Sequence, residues 1–448
     1  MNEIAQLNVF TKENVQELIA IILDEAKRQG ASSAEVDVGI NKGFNIAVRM
    51  GDVETVEYNQ DKIIEITVYF GQRSGSASLS DIRLEAIRSA VQAACNIARF
   101  TDEDTFSGLA DRELLAFNYP TIELAYPWEL SVKQAIEMAL ECEGTALAKD
   151  KRITNSEGVT IATSSAWTGY GNSLGFIGVY PVTRHEISCI LIAKQGDEMQ
   201  RDYSYSVACD PSLLVPIQQV AANAVDRTVR RLGARRLPTC HVPVVFAAEE
   251  ARGLLGHFIG AISGSSLYRK ASFLLDHLGK PVFPSHITMD ERPYLPKSLG
   301  SAPFDNDGVE TRPNVFIKDG VLQNYCLGVY SARKLGMKTT ANAGGVHNLF
   351  INNGKKDLNG LLKTMDKGLL VTELMGNGVN ILTGDYSRGA TGFWVEGGEV
   401  QYPVEEITIA GKLADMYGNL VEVGNDIDYR GNIKTGSILL NNMMIAGD

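Results

Sequence analysis

The chain is short of cysteine, histidine, positive charge and long apolar runs, and each shortage closes a class of function. Its 6 cysteines stand at 95, 142, 189, 209, 240 and 326 without a C-x-x-C pair. That spacing argues against a disulfide framework or a zinc knuckle and for a reduced, cytosolic protein. The 6 histidines, at 185, 241, 257, 277, 286 and 347, form no H-E-x-x-H, and none lies four or five residues from another. No local metal triad is written in the chain. Lys+Arg total 42 against 54 Asp+Glu, a formal net charge of −12, which is unsuited to neutralising phosphate backbones. The apolar run 18–23 stops at Asp24, far too short to span a bilayer. Residues 1–10 hold Glu3 and neither the basic nor the apolar region of a signal peptide. Neither G-x-G-x-x-G after a strand nor G-x-x-x-x-G-K-[ST] occurs, so nucleotide-binding signatures are absent. The expectation is a cytoplasmic chain that meets neither membrane nor nucleic acid directly.

What is present is ordinary globular material, 44% hydrophobic and 21% charged over 448 residues. At roughly 150 residues per domain that makes two or three domains. The 43 glycines are an excess that points to many turns and close backbone approaches. Thr11 caps a first helix with Val15, Leu18, Ile19, Ile22 and Ala26 at helical spacing, stopped by Gly30. The period then becomes two, through Val36, Val38 and Ile40, then Phe44, Ile46 and Val48, and, after a Gly51-Asp52 turn, Ile64, Ile66, Val68 and Phe70. These are half-buried antiparallel strands. Ser80 or Asp81 caps a helix with Leu84, Ile87, Val91 and Ala94 on its apolar face.

The same order runs again. Ser131 and Gln134 make a capping box. Strand-like stretches follow at 153–166, 175–182, 186–194 and 199–208, and Asp210-Pro211 opens a helix to about Arg231. Prolines and arginines over 233–243 mark a boundary. The fold class is α+β. An N-terminal domain of antiparallel sheet and helices, arranged as a two-fold pseudo-repeat, covers 1–235. A glycine-rich, mainly β domain covers 236–448, with helices over about 248–262 and from near Gly360.

Several motifs suggest chemistry. Gly171-Asn172-Ser173-Leu174-Gly175 matches the nucleophile elbow, but strand-like residues and Pro181 follow it, so a hairpin turn accounts for it. Ser331-Ala332-Arg333-Lys334, Tyr417-Gly418-Asn419 and Lys434-Thr435-Gly436 stand in the order of serine acyl-enzymes of the penicillin-recognising type, where a lysine helps take the serine proton. Such enzymes act outside the cytoplasm, and this chain shows no export signal. His257, within an apolar helical stretch, reads as a core or interface histidine. Glu249-Glu250 reads as a pair complementing a helix dipole.

From Gly264-Ser-Ser-Leu-Tyr-Arg-Lys270 onward the chain resembles the PmbA (TldE) branch of the TldD/PmbA family. The resemblance runs through Tyr330–Gly336, Ala343-Gly-Gly-Val-His347, Val371–Gly376, Thr383–Ala390, Gly392-Phe-Trp-Val-Glu396, Gln401-Tyr-Pro-Val404 and Glu406–Gly411. It implies a two-domain α/β protein partnered with TldD in a cytoplasmic zinc peptidase acting on peptides and on unfolded or antitoxin-type proteins. Members are often labelled modulators of DNA gyrase. In the TldD branch a helix carries H-E-x-x-x-H, with the histidines as ligands and the glutamate as base, and a C-terminal cysteine is a further candidate ligand. Carried over on the following Gly253-Leu-Leu-Gly256, those positions hold Ala247, Ala248 and Arg252. Taking Glu250 as base gives Glu249 and Leu254, and taking His257 as second ligand gives Arg252 and Gly253. The cysteine position falls near Thr435. No catalytic, cofactor or metal residue is therefore assigned to this chain, and zinc is expected in the TldD-like partner. The competing expectations are an autonomous peptidase with an unrecognised metal site or the Ser331/Lys334 pair, and a non-enzymatic gyrase-modulating protein. A homo-oligomer of the isolated chain is also compatible with the sequence.

Overall fold

The computed structural model describes residues 10–447. Its first half contains the two expected helix–sheet–helix units. One runs α1 (Lys12–Arg28), β1 (Ser33–Arg49), β2 (Asp52–Phe70), β3 (Arg73–Leu79), α2 (Leu84–Phe100). The other runs α3 (Val132–Lys149), β4 (Ile153–Asn172), β5 (Ile177–Gln195), β6 (Glu198–Ala208), α4 (Ile217–Val229). They share one 6-stranded sheet in the order β3-β2-β1-β4-β5-β6. That order is palindromic about the antiparallel β1–β4 seam, as a two-fold pseudo-repeat requires. Leu18, Ile19 and Ile22 of α1 with Ile87 and Val91 of α2 cover Val36, Val38, Ile64 and Ile66. Ala135, Ala139 and Cys142 of α3 with Val220 and Ala224 of α4 cover Ile46, Val159, Ile161 and Leu191. All four helices thus hide the apolar face of one sheet.

Local signals hold where they depend on local chemistry. The Asn14 N–H donates to Thr11 Oγ1 at 3.3 Å, Gly30 takes φ +88°, and Ser131 with Gln134 forms a reciprocal capping box. The strands differ from expectation by being longer. The stretches around Val38 and Ile46 are one strand, β1, because pairing with β2 on one side and β4 on the other carries its polar middle through. A Cβ at Gly43 would stand 2.0 Å from the Thr163 carbonyl oxygen, so that middle tolerates only glycine. The stretches 175–182 and 186–194 are likewise one strand, β5, running through Pro181. Asp81 accepts from the Arg83 N–H at 2.9 Å and does not cap α2, which starts at Leu84. Pro211 opens only a 3-10 turn, and α4 begins after Pro216, which resets the backbone.

The second half begins with β7 (Cys240–Phe246), α5 (Ala248–Ile262) and α6 (Gly264–Tyr268). Short elements follow: β8 (Met289–Glu291), β9 (Asn314–Lys318), β10 (Val321–Leu322), α7 (Val329–Lys334) and β11 (Leu349–Ile351). Next come α8 (Leu358–Met365), β12 (Gly368–Met375), β13 (Val379–Asn380) and β14 (Asp385–Glu396). The chain closes with β15 (Glu399–Lys412), α9 (Leu413–Gly418), β16 (Leu420–Val423), β17 (Ile433–Lys434) and β18 (Ile438–Ala446). Strands β12, β7, β18, β15 and β14 pair in succession, and β14 pairs again with β12, which closes a ring. α5 packs on this ring through Leu254, Leu255 and Phe258, and α8 through Leu361 and Leu362. A 5-stranded sheet, β10-β9-β8-β11-β17, stands beside it. The architecture is α+β, as expected.

The lobes meet on the sheet face opposite the helices. Gly169 and Gly171 of β4 turn toward Ile19 of α1, so Tyr170 between them turns the other way. There it joins Phe176, Phe304 and Val309 in one buried cluster. The same face carries acids. The Tyr69 and Tyr170 hydroxyls donate to Glu35 at 2.5 and 2.8 Å. Asp37 stands directly opposite Glu65. Burial raises the pKa of Glu35 and pushes Asp37 up to about 8, with Glu35, Glu65 and Asp307 adding repulsion. Asp305 and Asp307 are raised by burial as well. Among the described residues no helix is long and apolar enough to cross a membrane.

Candidate functional site

β6 is an outer strand of the first sheet. The Tyr205 carbonyl accepts from Arg430 Nη1 at 3.4 Å, so it turns away from β5. Main-chain groups alternate sides along a strand, so Tyr203 and Val207 turn the same way. This edge faces the second lobe, where the segment 295–299 and the loop 429–434 stand across a cavity of about 820 Å³. A second cavity of about 440 Å³ shares Arg227, Arg230, Tyr429 and Arg430 with it and reaches Ala247, Ala248 and Glu249 at the start of α5.

Arginines and carboxylates from both lobes interleave here. Glu249 receives Arg227 Nη1 at 2.5 Å and Arg430 Nη2 at 3.1 Å. Asp428 receives Arg430 Nη2 at 2.9 Å and Arg252 Nε at 3.3 Å. Asp202 of β6 receives Arg227 Nε at 3.3 Å and Arg231 Nη1 at 3.4 Å, and Arg231 reaches Glu373 at 2.6 Å. Burial alone would raise Asp428, but its bonds with Arg430 and the nearby Arg252 hold it below the usual carboxylate range. Each carboxylate in the network except Glu373 serves two guanidinium groups, so the first sheet is tied to α5 and to the loop before β17.

Two cations of the larger cavity make no direct ion pair in this network, although Asp428 lies near Lys434, and Asp202 and Glu249 near Arg230. The Lys434 side chain is 2% exposed; its ammonium donates to the Gly431 carbonyl at 2.6 Å and makes no ion pair among the described residues. Burial pulls its pKa down to about 8. Arg230, exposed at the end of α4, stacks on Phe393 at 4.7 Å and makes no ion pair among the described residues.

The positions raised by sequence fall as follows. Ala247 precedes α5 and gives it no side-chain cap, and Ala248 begins the helix. Arg252 lies between Asp428 and the Tyr205 hydroxyl, which is 3.1 Å from Nη2. Glu249 is in the ion-pair network, while burial and Glu249 push Glu250 up to about 7. Thr435 is fully buried and donates to the Gly436 carbonyl. A divalent zinc ion asks for histidine, cysteine or carboxylate donors. Methyl groups at 247 and 248 and a guanidinium at 252 do not fit it. Ser331 donates to the Gly328 carbonyl at 3.1 Å, whereas Lys334 pairs with Asp104 at 3.3 Å, so each polar group is engaged elsewhere. Ser173 sits in the β4–β5 hairpin and accepts from the Ala34 N–H at 3.0 Å. His185 is a satisfied core histidine, bonded to Thr163 Oγ1 and the Tyr126 carbonyl, both at 2.8 Å. His257 packs edge-on against Tyr386. Arg227, Arg230 and Arg430 were not singled out by sequence, because nothing in their spacing says which carboxylates they meet.

Family models described as PmbA/TldA metallopeptidase match along the chain: domain 1 over 34–98, the central domain over 125–232 and the C-terminal domain over 239–447. Metalloprotease PmbA of Escherichia coli O157:H7 is 49% identical over 433 residues, 97% of this chain and 96% of that protein. A Metalloprotease TldD homolog of Haemophilus influenzae is 22% identical over 419 residues, 87% of this chain and 85% of that one. A crystal structure from Bacteroides thetaiotaomicron, described under a gyrase-modulator name, superposes with a TM-score of 0.92 at 27% identity, covering 98% of this chain and 100% of that chain. TldE from Thermococcus kodakarensis shares the fold, with a TM-score of 0.82 at 21% identity over 96% of this chain and 100% of that chain.

Proposed function

The chain belongs to the PmbA/TldD metallopeptidase family, and we propose that it is the non-catalytic subunit of a cytoplasmic, heteromeric zinc peptidase. In this reading it shapes the substrate cleft and holds an extended peptide, or an unfolded or antitoxin-type protein, by strand addition at β6. A TldD-like partner supplies the zinc and the general base. The observation that carries the reading is Arg252. At the position matching the second histidine of the TldD motif stands a guanidinium already paired with Asp428, and a fixed cation there repels Zn²⁺. The β6 edge supports the holding role, since β6 ends the strand order of its sheet and, beside the Tyr205 carbonyl that Arg430 takes, turns the main-chain groups of Tyr203 and Val207 outward to an extended chain.

The test compares this chain alone, a TldD-like subunit alone and the two co-expressed, by size, metal content and peptidase activity. We expect zinc in the TldD-like subunit and a complex more active than either part. Stoichiometric zinc in this chain alone, with peptidase activity lost on chelation, refutes the reading. A pull-down that recovers gyrase and no TldD-like protein refutes it in favour of a binding protein.

A further inference from the structure

We propose that the larger cavity is a receptor for a peptide carboxylate, with Lys434 and Arg230 as the groups that take the negative charge. This deepens the peptide-holding role proposed above and rests on it. In a protein of net charge −12, the cavity wall carries Arg227, Arg230, Lys297, Arg430 and Lys434, and among the described residues Asp226 is its only carboxylate. Arg227 and Arg430 are neutralised by Glu249, Asp202 and Asp428, and Lys297 by Asp210 at 2.6 Å. Lys434 and Arg230 are left over.

A buried ammonium with one carbonyl partner and no direct ion pair among the described residues is an unfavourable arrangement, because Asp428 nearby only partly offsets its desolvation and Arg252 opposes it. An anion entering the cavity would offset it, and a charge-assisted hydrogen bond is among the strong ones. The volume, about 820 Å³, lies within the range of ligand sites. The remaining wall chooses the carrier. Residues 204–208 present a strand edge, and Leu213, Val215, Leu295 and Phe350 present apolar surface. A main-chain edge beside apolar surface suits a peptide whose backbone pairs with β6 and whose side chains lie on those residues. The carboxylate is either the peptide's C-terminus or an acidic side chain near it.

The experiment measures fluorescence anisotropy of a labelled, otherwise neutral hexapeptide with the full chain, alone and with its TldD-like partner. Three forms are compared: free C-terminal acid, C-terminal amide, and amide with glutamate as last residue. We expect one or both carboxylate-bearing forms to bind roughly tenfold or more tightly than the plain amide. Binding of the acid identifies the C-terminus as the source, and binding of the glutamyl amide identifies the side chain. Lys434→Met should abolish the preference without lowering the melting temperature, since it removes a buried charge whose desolvation no direct ion pair offsets. Arg230→Gln, at an exposed position, should weaken the preference with the fold untouched. Equal binding of all three forms overturns the carboxylate assignment and leaves the holding role standing. A preference that persists in both variants also overturns it. Failure of every form to bind chain or complex overturns the holding role itself.

Discussion

Asp37→Asn should make the protein less sensitive to rising pH. Asp37 faces Glu65 across the β1–β2 pairing, and burial, together with Glu35, Glu65 and Asp307, raises its pKa from 3.8 to about 8. The sign follows from proton counts. Between about pH 5 and about pH 7.5 the unfolded chain has lost this proton while the folded chain keeps it. The folded state therefore binds more protons, and stability falls as pH rises, by about 1.4 kcal/mol per pH unit for one group. Over that window the contribution is roughly 3 kcal/mol. Asparagine carries no such proton, so its stability relative to the wild type should rise by that amount between the two pH values. His185, whose pKa burial lowers, works in the opposite direction, but it is common to both proteins and cancels in the difference. Urea unfolding of both proteins at three or four pH values reads the effect as a shift in midpoint at constant slope. A difference that is flat with pH, or a variant that loses ground as pH rises, would refute the claim that Asp37 keeps its proton in the folded protein near neutral pH.

Gly392→Ala should prevent stable folding or cost more than about 3 kcal/mol, because its Cβ would stand 1.8 Å from the Leu370 carbonyl oxygen where β14 meets β12; soluble yield and thermal midpoint report this. Ser131→Ala removes one half of the α3 capping box and should cost about 1 kcal/mol in chemical denaturation. Arg252→Ala should cost about 1–2 kcal/mol and not the 3–5 kcal/mol typical of a broken buried pair, because Arg430 still serves Asp428. The same variant should leave zinc content unchanged, which metal analysis checks.

The legible parts of the fold were those decided within one turn or one strand. α1, α5 and the Ser131 capping box declare themselves through spacing and caps, and the repeated helix–strand–helix order predicted the two units. The unity of β5 was hidden by Pro181, which ordinarily interrupts a sheet. Pairing with β6 begins only at His185–Ala208, so the side of Pro181 away from β4 has no strand to disappoint. The strand runs on for a reason lodged in another element. The cleft was hidden in the same way. Arg227 and Arg430 meet at Glu249, and no periodicity relates residues so far apart in the chain. Lys434 was visible as part of a K-T-G, but its burial is a property of the assembled lobes.

Charge also says what this cleft is arranged to receive. A metal centre needs donors that are neutral or negative and not already committed. Around the first turn of α5, Glu249 and Asp428 are each shared between two guanidinium groups. A divalent cation placed between them would meet a guanidinium group at each carboxylate. The surplus runs the other way, through Lys434 and Arg230, toward an anion. Exchanging Ala247, Ala248 and Arg252 for the TldD-type ligands would therefore remove only one of the positive charges. Arg430, 3.1 Å from Glu249, would still oppose the metal. The helix aligned with the TldD motif is, in this chain, bound through Glu249 and Arg252 into a salt-bridged wall between the two lobes.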